Sequence, residues 1–557
     1  MSIVNSIKDE IRQLVENALL SARHDQKINF GAIPEFTVEV PREKAHGDFA
    51  VNLAMLLARE AKMPPRNIAQ LIIDSIRDKN GLLARTELAG PGFINFFLDT
   101  KWIYEAIPRA IREDRRYGCS AYGAGEMIQI EFVSANPTGL LHMGNARGAA
   151  LGDTLASLLQ AAGYDVTREF YINDAGNQIE NFGLSLEARY LQLMGVDAGF
   201  PEEGYHGEDL IETVRGIIRR EGDRYMHLDP AQRRELLTEK ALEEKITAIR
   251  KDLADFGVNY DVWFSEKSLH TTNAIADALQ KLKDMGCIYE NEGALWFKST
   301  LFGYEKDEVI VRSNGIPTYF AADIAYHLNK FSRGFKKVIN IWGADHHGHV
   351  ARMKGAIKAL GHNEDDLQII LMQLVRLYRG SEIVRMSKRS GNYITLSDLV
   401  EEVGRDAARY FFVMRSPDSH LDFDLDLAKS ESAENPVYYV QYAHARINSI
   451  IKACPEMMPK PEDVDLQLLC TDPEIELIRK IADLPDEIIA AAVNREPHRM
   501  TRYAHELAAL FHSFYNSCRV LTDDQKLREA RLLLVDAARI TLRNVLLLLG
   551  VSAPERM

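Results

Sequence analysis

Near the start of the chain Ile3, Ile7, Ile11, Leu14 and Leu19 recur at helical spacing with acids between them, which predicts a first helix belonging to a folded domain and not a signal peptide. "FTVEVP" (residues 36–41) alternates apolar and polar positions and predicts a strand. "HGDFAVNLAMLLAREA" reads as a helix ended by Pro64-Pro65, and "GPGFINFFL" (residues 90–98) as a second strand. These elements predict an α+β unit over residues 1–118, with the stretch from Arg112 to Gly125 as the linker out of it. From Glu126 strands and helices alternate. "MIQIEFVSA" is a strand, residues 145–162 a helix closed by Gly163, and "DVTREFYIND" a strand; "VIVRSNG", "TYFAADIAYHLNKF" and "KKVINIWGAD" continue the series. Such alternation predicts a Rossmann-like, doubly wound parallel sheet over residues 119–430, interrupted by a charged helical insertion at about 186–250. From residue 431 to 557 the pattern is helical throughout, in "VYYVQYAHARINSII", "PHRMTRYAHELAALFHSFYNSCRV" and "REARLLLVDAARITLRNVLLLLG".

At 557 residues the chain exceeds one ordinary core, in keeping with a multidomain α/β protein. Its longest apolar runs, such as Val545 to Leu549, are too short to cross a bilayer, so no membrane partner is expected. Cys119, Cys287, Cys454, Cys470 and Cys518 are scattered without a C-x-x-C, which argues against a zinc knuckle or disulfide framework and suits a reducing cytoplasm. The net charge of −14 speaks against bulk nucleic-acid binding but leaves room for a local basic face. Arg495, Arg499 and Arg502 fall at i, i+4 and i+7 with His498 and His505 nearby; a solvated helix face is the plainer reading of them.

The chemistry begins at "NPTGLLHMGNARGAALGD" (residues 136–153), a glycine-rich passage from strand to helix. It contains neither G-x-x-x-x-G-K-[ST] nor G-x-G-x-x-G. Gly139 and Gly144 let a ligand approach the backbone, the helix start offers unpaired N–H groups to an anion, and His142 adds a ring donor. A mobile cation could come from "IVRMSKRSGNYITL" (residues 383–396), where Lys388 lies between Arg385 and Arg389 in a Ser/Gly-rich loop able to close over a triphosphate; a plain surface lysine is the alternative. "GADHHGH" (residues 343–349) gathers Asp345, His346, His347 and His349 and could belong to a metal hydrolase, although no distant carboxylate partner is evident; nucleotide contacts are the favoured reading and no metal site is assigned.

His142-Met143-Gly144-Asn145 resembles the "HIGH" signature of class I aminoacyl-tRNA synthetases, and Met386-Ser387-Lys388 resembles the core of their "KMSKS" loop. "EFVSANPTGLLHMGNARGAALGD", "YINDAGNQIE", "WGADHHGH" and the ending "LLGVSAPERM" narrow the resemblance to the arginyl-tRNA synthetase family over nearly the whole chain. Asn145 stands where histidine is usual, Arg385 where lysine is, and Arg389 where serine is. The resemblance implies an ATP-dependent ligase. It would form arginyl-adenylate and pass the arginyl group to the 3′-terminal ribose of tRNA(Arg), through the 2′-hydroxyl in class I, releasing AMP and pyrophosphate. Catalysis of that kind is positioning and charge stabilisation, so no side-chain nucleophile is needed. The family's pattern implies His142 and Lys388 as the catalytic groups on the phosphates, with Mg²⁺ alongside. It puts Gly144, Asn145, Gly343, Asp345, Met386 and Ser387 against ATP, and Glu131, Asn136, Tyr319, Asp323 and His346 around arginine. Tyr319 and Asp323 are four apart and share a helical face, and an acid can pair with a guanidinium in bidentate fashion. The N-terminal unit would touch the tRNA elbow and the helical domain the anticodon, with Arg495, Arg499, Arg502 and Tyr503 as phosphate and stacking candidates; a monomer is expected.

Overall fold

Burial of Ile7, Ile11, Val15 and Leu19 holds the first helix, Ile3–His24, against a four-stranded sheet. The computed structural model describes residues 3–41, 43–99, 101–380, 382–384, 394–454 and 457–557. Strands β1 (Val38–Glu39), β2 (Phe49–Val51), β3 (Leu83–Ala89) and β4 (Phe93–Leu98) pair antiparallel in the order β1-β2-β4-β3. Two expectations fail locally. The predicted strand at 36–41 shrinks to β1, and Phe49–Val51, expected to open a helix, is strand β2 because Phe49, Ala50 and Val51 pair with Phe96, Asn95 and Ile94. Tertiary pairing here overrides local pattern. The prolines also do more than stop a helix: Leu53–Ala61 ends at Lys62 in the left-handed conformation, and Pro65 opens the next helix, Pro65–Ser75, where its missing N–H costs nothing.

Strands β5 (Met127–Glu131), β6 (Asp165–Ile172) and β7 (Val262–Ser265) follow. A small antiparallel sheet comes next, from β8 (Ile288–Asn291), β9 (Ala294–Phe297) and β10 (Glu308–Val311), before β11 (Lys337–Gly343) and β12 (Leu367–Met372). The main sheet is parallel, in the order β12-β11-β5-β6-β7. "VIVRSNG" therefore does not continue the parallel series: β10 pairs antiparallel with β9, which itself turns back from β8 at Glu292-Gly293, where both residues have positive φ. Its apolar pattern marks a strand but not which sheet receives it. The helical insertion starts at Asn177, earlier than expected, and its helices Asn177–Leu193, Glu208–Glu221 and Pro230–Asp255 enclose a small core of their own around Phe182, Tyr190, Val214 and Leu237.

Beyond β12 lie β13 (Val375–Arg379), β14 (Glu382–Ile383) and β15 (Leu421–Asp424), a second small sheet. The helices Pro436–Ala453, Asp472–Asn494, His498–Ser517 and Gln525–Leu548 complete the chain. They share one continuous hydrophobic cluster with Ile103, Ile107 and Ala110, the helix after β5, and the helix Arg405–Val413. The N-terminal unit is clipped to this body by Arg479 on Asp48 at 2.6 Å and by Asn5 donating to Asp486 at 2.7 Å. Among the described residues no helix is long and apolar enough to cross a membrane.

Candidate active site

The chain leaves β5 outward to β6 and β7, then returns to place β11 on the other side of β5 and β12 beyond it. The strand order thus reverses between β5 and β11, and the crevice at their carboxyl ends is where an open parallel sheet binds ligands. Both sequence signals fall there. After β5 comes the loop to the helix Met143–Ala161, with His142 as its N-cap; after β11 come Gly343 and the turn Ala344–His346.

His142 and Asn145 cap the helix reciprocally. His142 Nδ1 accepts from the Gly144 N–H at 3.1 Å, and Asn145 Oδ1 accepts from the His142 N–H at 3.0 Å. With Nδ1 accepting, the proton of the neutral ring sits on Nε2. Gly144 keeps room for this ring, because a Cβ there would lie 3.0 Å from His142 Cε1 and the imidazole would have to shift. Asn145 substitutes for the usual histidine by supplying the cap's acceptor, a task for which charge is unnecessary. Lys388, Met386 and Ser387, with Arg385 and Arg389, lie outside the described residues. The described chain resumes at Ile394, and Thr395 pairs antiparallel with His142 while the Leu396 N–H donates to Leu141 O at 2.9 Å. The first signature is therefore joined at the backbone to Thr395 and Leu396, the residues at the start of the helix Leu396–Val403.

Beneath the crevice the sheet register aligns Glu169, Glu131 and Asn340 on β6, β5 and β11, all buried. Two buried carboxylates side by side need cations. Both come from the helix Tyr319–Ser332 and its C-cap. Lys330 Nζ reaches Glu131 Oε2 at 2.5 Å and Asn340 Oδ1 at 2.8 Å, and Arg333 grips Glu169 through two bonds of 2.6 and 2.9 Å. Ser134 Oγ donates to the other Glu131 oxygen at 2.8 Å. Val133 and Ser134 both carry positive φ, 71° and 38°, a strained reversal just after β5 that brings this hydroxyl back over Glu131. None of Lys330, Arg333 and Ser134 was singled out from sequence. The i, i+3 spacing of the two cations was the available signal, but it does not say which helix face meets the sheet.

Asp323 lies one turn into the same helix, buried, with His349 Nε2 2.9 Å from its Oδ2. Burial raises its pKa, opposed by the His349 hydrogen bond. Glu266, a second buried acid that sequence reading passed over, is pushed up to about 7 by burial first and then by the Asp323 charge. Tyr319, at the first position of the helix, is 59% exposed, one turn before Asp323. Asn136 stands at the rim with its amide donating to Gln178 at 2.7 Å. Asp345 and His346 are exposed beside Gly343, and Trp342 packs against His346 and His349. The histidine cluster is thus divided, with His349 turned to Asp323; among the described residues no group of three or more His, Cys, Asp or Glu is arranged to hold a metal.

The nucleic-acid candidates need correcting. Tyr503 is 1% exposed and donates to the Lys480 carbonyl, so its ring is core and cannot stack on a base. Arg495 does not share a helix with Arg499: it caps Asp472–Asn494 in the left-handed conformation, and its guanidinium folds back onto Val493 O. Arg499 is held by Glu487 at 2.9 and 3.1 Å and by Glu496, which leaves Arg502 as the exposed member. The structure instead presents a stripe along Pro436–Ala453 and His498–Ser517. Tyr439 stacks on His505 at 5.0 Å, Tyr442 on Tyr438 and His512 at 6.2 Å each, and Arg446 covers Tyr515 at 4.4 Å. Its signal was "VYYVQYAHAR", whose aromatics and arginine fall on one face.

A switch-point crevice at the carboxyl ends of a parallel sheet, with a capped glycine-rich helix start on one side, fits the class I aminoacyl-tRNA synthetases that the signature resembles. Residues 106–451 match the family model described as "tRNA synthetases class I (R), catalytic domain". Residues 5–98 match the arginyl-tRNA synthetase N-terminal domain, and residues 440–557 the DALR anticodon-binding domain. The chain is 64% identical over 564 residues to the arginine–tRNA ligase of Heliobacterium modesticaldum and 62% identical over 560 residues to that of Moorella thermoacetica, covering 100% of both chains each time. The chain belongs to the arginyl-tRNA synthetase family, within the aminoacyl-tRNA ligases. The solved Thermus thermophilus arginyl-tRNA synthetase shares the fold, with a TM-score of 0.74 at 24% identity over 98% of this chain and 100% of that one.

Proposed function

We propose that the chain activates L-arginine with ATP and transfers the arginyl group to the 3′-terminal ribose of tRNA(Arg), releasing AMP and pyrophosphate. The observation that carries this reading is the buried pair Asp323 and Glu266 on the same sheet edge as the His142-capped helix start. The guanidinium enters between Asp323 and Glu266, under Tyr319. Glu131 and Asn136 match positions that hold the amino acid's polar groups, although Glu131 already has Lys330 as its cation. ATP lies along Gly144, Asn145, Gly343 and Asp345, with its phosphates toward His142 and the helix dipole. His346 beside Asp345 lines the junction of nucleotide and amino acid. Lys388, with Met386 and Ser387, is assigned to the phosphates on the signature match. Mg²⁺ arrives as part of the nucleotide substrate, held by phosphate oxygens.

The arginine carboxylate attacks the α-phosphate in line. His142 and Lys388 stabilise the charge that develops as pyrophosphate leaves. The N-terminal unit meets the tRNA elbow, and the stripe of Tyr439, Tyr442, Arg446 and His505 receives unstacked anticodon bases, with Arg502 on the backbone. The scattered, unpaired cysteines suit a cytoplasmic protein, and the family's monomeric habit is adopted. The deciding experiment is arginine-dependent ATP–pyrophosphate exchange with and without tRNA(Arg). Exchange that needs both arginine and tRNA is the expected result. Its absence with both present overturns the reading.

A further inference from the structure

Arg409 lies on the helix Arg405–Val413 and is completely buried. A guanidinium cut off from water must find acceptors inside the protein. Nε donates to the carbonyl of Leu549, the C-cap of the last helix, at 2.9 Å. Nη1 donates to the Phe256 and Gly257 carbonyls at 3.3 Å each, where the insertion's last helix leads into β7. Nη2 meets Asp153 Oδ2 at 2.6 Å. Asp153 belongs to the helix that begins at Met143, and its other oxygen takes Arg168 Nε of β6 at 3.2 Å. One side chain thus joins the end of the anticodon-binding domain, the insertion and the signature helix. Asp153 is about 15 Å down that helix from its His142 end, at 1.5 Å per residue, over which a helix moves as a stiff rod. Gly550 leaves the space for this: its φ is +67°, and a Cβ there would collide with the Arg409 guanidinium.

We infer that Arg409 is a positioning residue for arginine activation, setting the placement of the His142 helix from the end of the anticodon-binding domain. The inference rests on the ligase reading above. A pair that only stabilised the core could be exchanged for apolar packing. Here the acceptors are the ends of two helices and the middle of a third, all distant in sequence, so what the side chain governs is their relative placement.

The test uses the full-length chain, with Gly550→Ala, Arg409→Lys and the double variant Gly550→Ala/Asp153→Asn. Exchange kinetics, affinity for a tRNA(Arg) transcript and thermal unfolding are measured. Exchange by the unaltered enzyme is established first, because its absence defeats the ligase reading and not this one. The expected result is that Gly550→Ala lowers kcat about fivefold or more, with KM for arginine and ATP and the tRNA affinity within about twofold. Adding Asp153→Asn then costs less than about a further twofold, since the same link is already broken. A kcat loss under fivefold in folded Gly550→Ala overturns the inference, as does a loss that multiplies in the double variant. Should Gly550→Ala not fold, Arg409→Lys decides by the same kcat criterion, since lysine keeps the charge on Asp153 but cannot also hold Leu549.

Discussion

Asp323 and Glu266 are both buried, and burial raises both carboxyl pKa values, with the Asp323 charge adding to the rise at Glu266, which is why we propose that the substrate guanidinium is the cation they receive. A guanidinium favours both ionised forms, so KM for arginine is expected to fall as pH rises from about 6 to 8, tracking the Glu266 value near 7. Glu266→Gln should flatten that profile and raise KM for arginine about tenfold or more, as loss of one charged partner does; an unchanged profile in steady-state assays would remove Glu266 from the pocket. The stability sign is opposite. An acid whose folded pKa lies above its ordinary value loses stability as pH rises between the two, so without arginine Glu266→Gln should melt higher than wild type at pH 8 and level with it at pH 4. Asp323→Ala should raise KM for arginine far more than KM for ATP; equal effects would move it out of the specificity site. His142→Ala should slow adenylate formation about 10²- to 10³-fold, the range for losing one transition-state donor, measured in single-turnover assays. His142 and Asp323 were legible from short motifs. Lys330, Arg333 and Glu266 were not, because pairing them with Glu131, Glu169 and Asp323 needs the packing of helix on sheet.

Among the elements, Tyr319–Ser332 carries most of the arginine site we propose, with Tyr319 and Asp323 in its first turns and Lys330 held to Glu131 of the sheet. Its 3.6-residue period is plain in the sequence, whereas β10 was assigned to the wrong sheet because period-2 patterning carries no address. The helix Asp472–Asn494 shows how a local defect is repaired from afar. Pro485 lacks an N–H and leaves the Ile481 carbonyl without its helical donor; the Tyr117 hydroxyl donates to that carbonyl at 2.7 Å, and both tyrosine and carbonyl are buried. Tyr117→Phe would strand that acceptor, and urea unfolding should show a loss of about 1–3 kcal/mol with exchange activity of the folded enzyme unchanged. A stability equal to wild type would show that the kinked helix reorganises without it.

At the scale of the molecule, one hydrophobic cluster runs from the sheet through the C-terminal helices, so the anticodon-binding and catalytic domains share a core. A chain of net charge −14 can bind tRNA only through a local face, and the face we propose, the Tyr439–Tyr442–Arg446 stripe, combines aromatic rings with a cation. Arg446→Ala is expected to weaken tRNA(Arg) affinity about tenfold in filter binding, with KM for arginine at saturating tRNA unchanged. Arg502→Ala, a contact to backbone phosphate, should cost less and chiefly reduce the salt dependence. Reversed rankings would move the anticodon site off the stripe.

The sequence by itself determined the order of α+β unit, parallel sheet and helical domain and the family, and it nominated His142 and Asp323 as site candidates, because periodicity and short motifs are local and survive without coordinates. Only the tertiary structure decided that Tyr503 is core, that Arg495 and Arg499 belong to different helices, that Asn145 is a cap acceptor, and that Glu131 already has its cation. Burial and partnership are properties of surfaces brought together across hundreds of residues, and no single stretch of chain contains them.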